Sequence, residues 1–235
     1  MKTIGLIGGM SWESSIEYYR IINETAKEKL GGLHSAKSLM VTVDFAEIEK
    51  LQHEDRWDEA GHILVKCAQD LERGGADFIV LCTNTMHKLA DQITANVNIP
   101  FLHIADATAE KIVAAGMHRI GLLGTRFTME HDFYKGRLIN DYGLEVVIPN
   151  ESDRAIVHRV IYEELVLGKI MEASREEYKR IMNDLLSQGA QGIILGCTEI
   201  ELLIKEGDCN APLFPTTRIH AVAAVEKSLA DAPKV

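Results

Sequence analysis

Residues 117–125 read MHRIGLLGT, a near copy of the chain's own start, MKTIGLIGG at residues 1–9. An offset of 116 puts Met1 on Met117, Ile4 on Ile120, Gly5 on Gly121, Leu6 on Leu122 and Gly8 on Gly124, and the same offset lays Tyr18 on Tyr134. A second pair, GADFIVLCTNT at 75–85 and GAQGIILGCTE at 189–199, matches at an offset of 114. Two matches in the same order, at nearly one offset, describe a chain of two similar halves.

The repeated segments belong to a wider pattern. Short apolar runs at 3–8, 39–45, 77–83, 120–125, 144–149 and 192–198 read as strands. Between most of them lie longer stretches, such as 58–75 and 174–190, with apolar residues three and four apart, the spacing of an amphipathic helix. Strands that are apolar throughout, alternating with helices, predict parallel sheets covered on both faces. The fold class is α/β.

Composition narrows the function. The chain has 235 residues, 46% of them hydrophobic, a net charge of −10, a pI of about 5.4 and a mean hydropathy of −0.02. Such a chain buries a sizeable core. Its acidity, and the lack of a Lys/Arg run interleaved with aromatics, speak against nucleic acid as a partner. The opening apolar stretch is broken by glycines and is too short for a signal peptide or a membrane span. The four cysteines, Cys67, Cys82, Cys197 and Cys209, are widely spaced with no CxxC pair, which reads as reduced thiols in a cytoplasmic protein.

The second repeat carries the chemistry. Cys82 falls on Gly196, and Thr83 falls on Cys197. Open parallel sheets bind ligands beyond the carboxyl ends of their strands, so equivalent halves facing each other would bring Thr83 and Cys197 to opposite sides of one cleft. The strand pleat then turns Cys82 away. Two small proton carriers on opposite faces of a bound molecule are what inversion at a carbon requires. A thiolate is a good base whose pKa a helix N-terminus can lower, and the resulting carbanion needs positioned donors. TNTMHKLADQI and CTEIELLIKE both read as helix openings, whose backbone N–H groups favour a carboxylate. The turn IGGMS at 7–11 offers a further cradle, and is neither GxGxxG nor a Walker loop.

In GLIGGMSWESSIEYY, CTNTMHK, FLHIADAT, LLGTRFTMEHDFY and LGCTEIELL, together spanning nearly the whole chain, the sequence resembles the aspartate/glutamate racemase superfamily of cofactor-independent racemases. The resemblance implies two pseudosymmetric flavodoxin-like parallel-sheet domains with the active site at their interface. The first domain would comprise residues 1–98 plus 209–235, with the C-terminal helix returning to it, and the second 99–208. It also implies a catalytic residue from each domain. The usual first motif, CNT, reads Thr83-Asn84-Thr85 here, while Cys197 of the second motif is retained. This pair is similar to that of the bacterial L-aspartate/glutamate-specific subgroup, and it implies that Cys197 takes the Cα proton of the L substrate while Thr83 reprotonates the other face. A threonine hydroxyl is a poor base, so the two directions should be unequal. The implied substrate contacts are Met10, Gln52, Thr83, Asn84, Thr85, Lys169, Thr198 and Glu199. GCTEI, where the glutamate branch generally reads GCTHF, places the chain nearer the aspartate branch. The resemblance implies no cofactor, an acidic amino acid as partner, and a homodimer.

Plainer readings stand beside these. Thr198 and Glu201 have the spacing of a capping box. Cys67 reads as helix packing and Cys209 as a surface-loop thiol. His34, His87, His103, His131 and His220 show no HxH or HExxH spacing, so no metal is expected. His87 reads equally as support for the first motif and as helix packing. Lys169 and Arg126 are either surface residues or the local positive charge that an acidic substrate needs. The alternative functions are a decarboxylase or maleate-type isomerase on the same scaffold, and a non-catalytic amino-acid-binding protein.

Overall fold

The computed structural model describes residues 1–230. By internal contact it divides into two compact units, one of residues 1–103 with the chain from His220, the other Ile104–Ile219. The first unit contains β1 (Ile4–Gly8), α1 (Trp12–Leu30), β2 (Ser38–Thr42), α2 (Phe45–His53), α3 (Trp57–Arg73), β3 (Phe78–Leu81), α4 (Ala90–Thr94) and β4 (Phe101–Leu102). The second contains α5 (Ile104–Ala114), β5 (Arg119–Gly124), α6 (Arg126–Glu130), α7 (Asp132–Tyr142), β6 (Glu145–Val147), α8 (Glu151–Glu163), α9 (Glu172–Ser187), β7 (Ile193–Gly196), α10 (Ile200–Leu203) and β8 (Leu213–Pro215). The division at 219/220 falls inside the last helix, α11 (Thr216–Leu229). Among the described residues no helix is long and apolar enough to cross a membrane.

The two sheets have the same order, β2-β1-β3-β4 and β6-β5-β7-β8, and every pair is parallel. Their registers reproduce the sequence repeat. Ile7 pairs with Leu81 in one sheet and Leu123 with Leu195 in the other, and these pairs are related by the offsets 116 and 114. The sequence missed the edge strands β4 and β8. At two and three residues, next to Pro100 and Pro212, they are too short to show a period. Their pairings hold Phe101–Leu102 to the first sheet and Leu213–Pro215 to the second. Both unit boundaries accordingly lie on the C-terminal side of those drawn from the sequence.

The pleat sorts each core. On one face of the first sheet, Ile4 and Leu6 of β1 join Phe78, Val80 and Cys82 against Tyr18, Ile21, Ile22 and Ala26 of α1 and Ala221, Ala224 and Val225 of α11. Within this layer His220 Nε2 donates to the Leu102 carbonyl at 2.9 Å, which leaves Nδ1 to accept the Tyr18 hydroxyl, also at 2.9 Å. In the second sheet Ile120, Leu122 and Ile194 pack with Tyr134 and Leu138 of α7 and with α5. Leu123, Ile193, Leu195 and Cys197 belong to the opposite layer, under α8 and α9. Tyr18 and Tyr134, repeat partners in sequence, are both fully buried on the corresponding face.

A close approach fixes the end of the second sheet. A Cβ on Gly196 would lie 2.6 Å from the Leu123 carbonyl oxygen, and one on Gly124 would lie 2.8 Å from the Gly196 oxygen. Backbone cannot swing aside as a flexible side chain can. Gly196→Ala is therefore expected to cost about 1–3 kcal/mol in urea unfolding, and an unchanged midpoint would show that the strands part freely there.

Candidate active site

β1 ends in a turn that only glycine makes. Gly9 has a φ of +91°, where a Cβ would run into the Val43 backbone. Its N–H donates to Ser15 Oγ at 2.8 Å, and Ser11 caps α1 by accepting the Ser14 N–H at 3.4 Å. The Gly9 amide thus serves the turn itself, where the sequence offered it as an anion cradle. Met10, within this turn, is buried.

Beyond β3 the Thr83 N–H folds back onto the Leu81 carbonyl at 2.9 Å. Thr83, Asn84 and Thr85 are all buried, and a five-residue 3-10 turn, Thr85–Leu89, follows in place of a long helix. His87 in this turn donates from Nδ1 to the Thr83 carbonyl at 2.7 Å, since a carbonyl can only accept. Its ring lies edge-on to His103 and Phe101, with centroids 4.5 and 5.4 Å away. His87 therefore both holds the Thr83 backbone and packs. Gln52, buried on α2, points its amide at Met86 Sδ in the same turn. Cys82 lies in the core layer under α1, on the face the repeat assigned it, and burial pushes its thiol far above the ordinary range.

Beyond β7, Cys197, Thr198 and Glu199 form one hydrogen-bonded group. A single oxygen, Glu199 Oε2, accepts the Cys197 thiol at 3.0 Å and the Thr198 hydroxyl at 2.6 Å. All three residues are at most 8% exposed, so these bonds form with little water to compete. Burial pushes the Cys197 thiol well above its usual range, and the Glu199 charge and hydrogen bond push it further. The N–H groups of Glu199 and Ile200 act the other way and do not prevail. The expected lowering by a helix N-terminus is thus reversed: α10 is a single turn of four residues, and a carboxylate stands beside the sulfur. Both side chains of the capping-box spacing have other partners. The Thr198 hydroxyl is engaged by Glu199, and Glu201 Oε1 accepts the Thr217 N–H at 2.9 Å.

The remaining residues sort as follows. Lys169 is exposed, just past the 3-10 turn Leu165–Leu167. Arg126 is exposed at the first position of α6. Cys67 packs on α3 as expected, whereas Cys209 is half-buried against the second unit's core. Tyr178, which no motif marked, shares the Cys197 layer and donates to the Val157 carbonyl at 3.0 Å. Burial raises its hydroxyl well above the usual value, and a charge on Cys197 would raise it further. Among the described residues no group of three or more His, Cys, Asp or Glu is placed to hold a metal ion.

A family model described as Asp/Glu/hydantoin racemase matches residues 7–224. The broad specificity amino-acid racemase RacX of Bacillus subtilis is 24% identical over 173 residues, covering 74% of each chain. A crystal structure of an aspartate racemase homologue from Pyrococcus horikoshii is 37% identical with a TM-score of 0.84, over 97% of this chain and 99% of that one. A candidate Asp/Glu racemase from Yersinia pestis is 55% identical with a TM-score of 0.92, over 97% of this chain and 100% of that one.

The buried thiols and phenols make a stability prediction. Cys82, Cys197, Tyr134 and Tyr178 are all raised, chiefly by burial, so the folded state keeps protons that the unfolded chain releases. Their contribution is complete below the unfolded values, about 8.5 for a thiol and about 10 for a phenol, and is lost as pH rises beyond them. Urea melts should show the unfolding free energy falling above about pH 9, by about 1.4 kcal/mol per pH unit for each group still protonated. A free energy that stays level to pH 11 would contradict this.

Proposed function

The chain belongs to the Asp/Glu/hydantoin racemase family, and from that premise we propose that it is a cofactor-independent racemase converting L-aspartate and L-glutamate to their D enantiomers. The observation that carries this reading is the placement of Thr83 and Cys197 at equivalent positions beyond β3 and β7, in sheets of one order and one register. Cys197 removes the Cα proton of the L enantiomer, and Thr83 delivers a proton to the opposite face. Met10, Gln52, Asn84, Thr85, Thr198 and Lys169 are the proposed substrate contacts, with the exposed Lys169 ammonium supplying positive charge against a net charge of −10. The broad specificity of RacX keeps other amino acids among the substrates to test. Four free thiols suit a reducing, cytoplasmic compartment.

The protein is further proposed to act as a homodimer. Trp12, Ile16 and Tyr19, spaced along one face of α1, are 63, 53 and 55% exposed, an apolar stripe of the kind that marks an association surface. Trp12→Glu combined with Tyr19→Glu should halve the mass measured by light scattering. A wild-type monomer, or a double variant that stays dimeric, would refute this face.

The reaction is tested in deuterated buffer without added pyridoxal phosphate, following Cα exchange and the opposite enantiomer. L-aspartate should exchange and invert faster than D-aspartate, and Cys197→Ser should lose both by at least roughly a hundredfold. Thr83→Ala should still place deuterium in L-aspartate while forming roughly a hundredfold less D-aspartate, because only the second proton transfer is removed. No exchange from aspartate or glutamate in wild-type protein would end the racemase reading.

A further inference from the structure

We propose that the second unit carries a binding site for a small zwitterion with an apolar body, the chemistry of a free apolar α-amino acid, in a cavity that Cys197 does not line. The cavity has a volume of about 490 Å³, a size that holds a small molecule, and lies against the outer edge of the second sheet, at β8. Its chemistry is independent of the racemase reading.

The two halves differ here. In the first unit the chain between β3 and β4 forms the 3-10 turn Thr85–Leu89 and then α4, whose Ala90 and Ile93 are buried. In the second unit α10 stops at Leu203, and residues 204–212 run on to β8 without a helix or strand. The pleat decides what faces the space left open. Phe214 packs into the layer under α5 and α7, so its neighbours Leu213 and Pro215 face the opposite side, where Leu213 packs against the layer that holds Leu195 and Ile204. Leu195, Ile204, Leu213 and Pro215 accordingly make an apolar floor.

Among the described residues, four charged side chains line the same cavity, and two of them already have partners. Glu201 Oε1 accepts the Thr217 N–H at 2.9 Å, and Lys205 Nζ donates to the Glu201 carbonyl at 2.5 Å. The side chains of Arg218, on the first turn of α11, and Glu206, in the loop, are exposed and make no hydrogen bond or ion pair with any described residue. A free guanidinium and a free carboxylate over one apolar floor fit the complementary pair of charges. Arg218 can hold a carboxylate with two parallel N–H donors, and Glu206 can accept from an ammonium. A purely apolar ligand would leave both charges unanswered, and a simple anion would leave Glu206 so.

L-leucine is the probe, with three relatives that each lack one feature: glycine lacks the apolar body, isocaproate the ammonium, and isoamylamine the carboxylate. Cys209 lines the cavity and is half-buried, so an occupant shields it from iodoacetamide, and peptide mass separates its labelling from that of Cys197. L-leucine should slow carboxamidomethylation of Cys209 with a half-saturating concentration of about 1 mM, and each relative should need at least roughly tenfold more. Arg218→Gln and Glu206→Gln should each weaken the protection by L-leucine about tenfold, while leaving the alkylation rate of Cys209 in the free protein unchanged. Equilibrium dialysis of radiolabelled L-leucine against wild-type protein and Arg218→Gln makes the same comparison without the thiol. Absence of L-leucine binding in both measurements overturns the site, as does binding that neither substitution weakens or that shields Cys197 and leaves Cys209 open. Isocaproate protecting as well as L-leucine overturns the zwitterion class. None of these readouts involves chemistry at Cα, so each outcome holds whether or not the protein racemises.

Discussion

The strand register is the constraint on which the rest depends. In a parallel pair the side chains alternate between faces, and a slip of one residue would exchange every core position for its opposite. With Ile7 set against Leu81 and Leu123 against Leu195, the position beyond each third strand is decided. Cys82 must enter the layer under α1, and Cys197 must enter the layer under α8 and α9. The glycines at 124 and 196 belong to the same constraint, because their missing side chains let the strand ends close up where Cys197 follows.

Burial then decides the chemistry of the sulfur. A helix N-terminus stabilises a thiolate only where several amides converge and no competing charge intervenes. The amides of Glu199 and Ile200 compete with deep burial and an adjacent carboxylate, and burial wins. The resting sulfur is consequently a thiol that donates to the Glu199 carboxylate. Cys82 is more deeply buried still, its sulfur lies among hydrocarbon side chains of the sheet and α1, and burial alone raises its thiol.

Much of this was legible in the sequence because it is periodic or repeated. The α/β class follows from apolar strands alternating with amphipathic helices, the common sheet order from the two offsets, and the inward turn of Cys82 from the pleat. What escaped is local and aperiodic. β4 and β8 have too few residues to show alternation. The capping-box spacing of Thr198 and Glu201 was real, but spacing does not reveal that a nearer carboxylate and the Thr217 amide compete for those groups. Tyr178 joined the Cys197 layer through helix packing that no motif records. The direction of the Cys197 shift differs from the expectation because sequence shows that a helix follows, without showing how short it is or how deeply the thiol is buried.

The two halves therefore agree in backbone and diverge in acid–base character over three consecutive positions. Thr83, Asn84 and Thr85 are neutral; Cys197, Thr198 and Glu199 hold a thiol, a hydroxyl and a carboxylate. In a low-dielectric site a neutral hydroxyl can stand without a counter-group, while a group that must become an anion cannot, unless its proton stays nearby or a donor replaces it. Under the proposed racemase reading, the two directions are unequal because of the groups around each carrier as well as the weaker acidity of a hydroxyl, and exchanging threonine for cysteine at position 83 would leave that inequality partly in place.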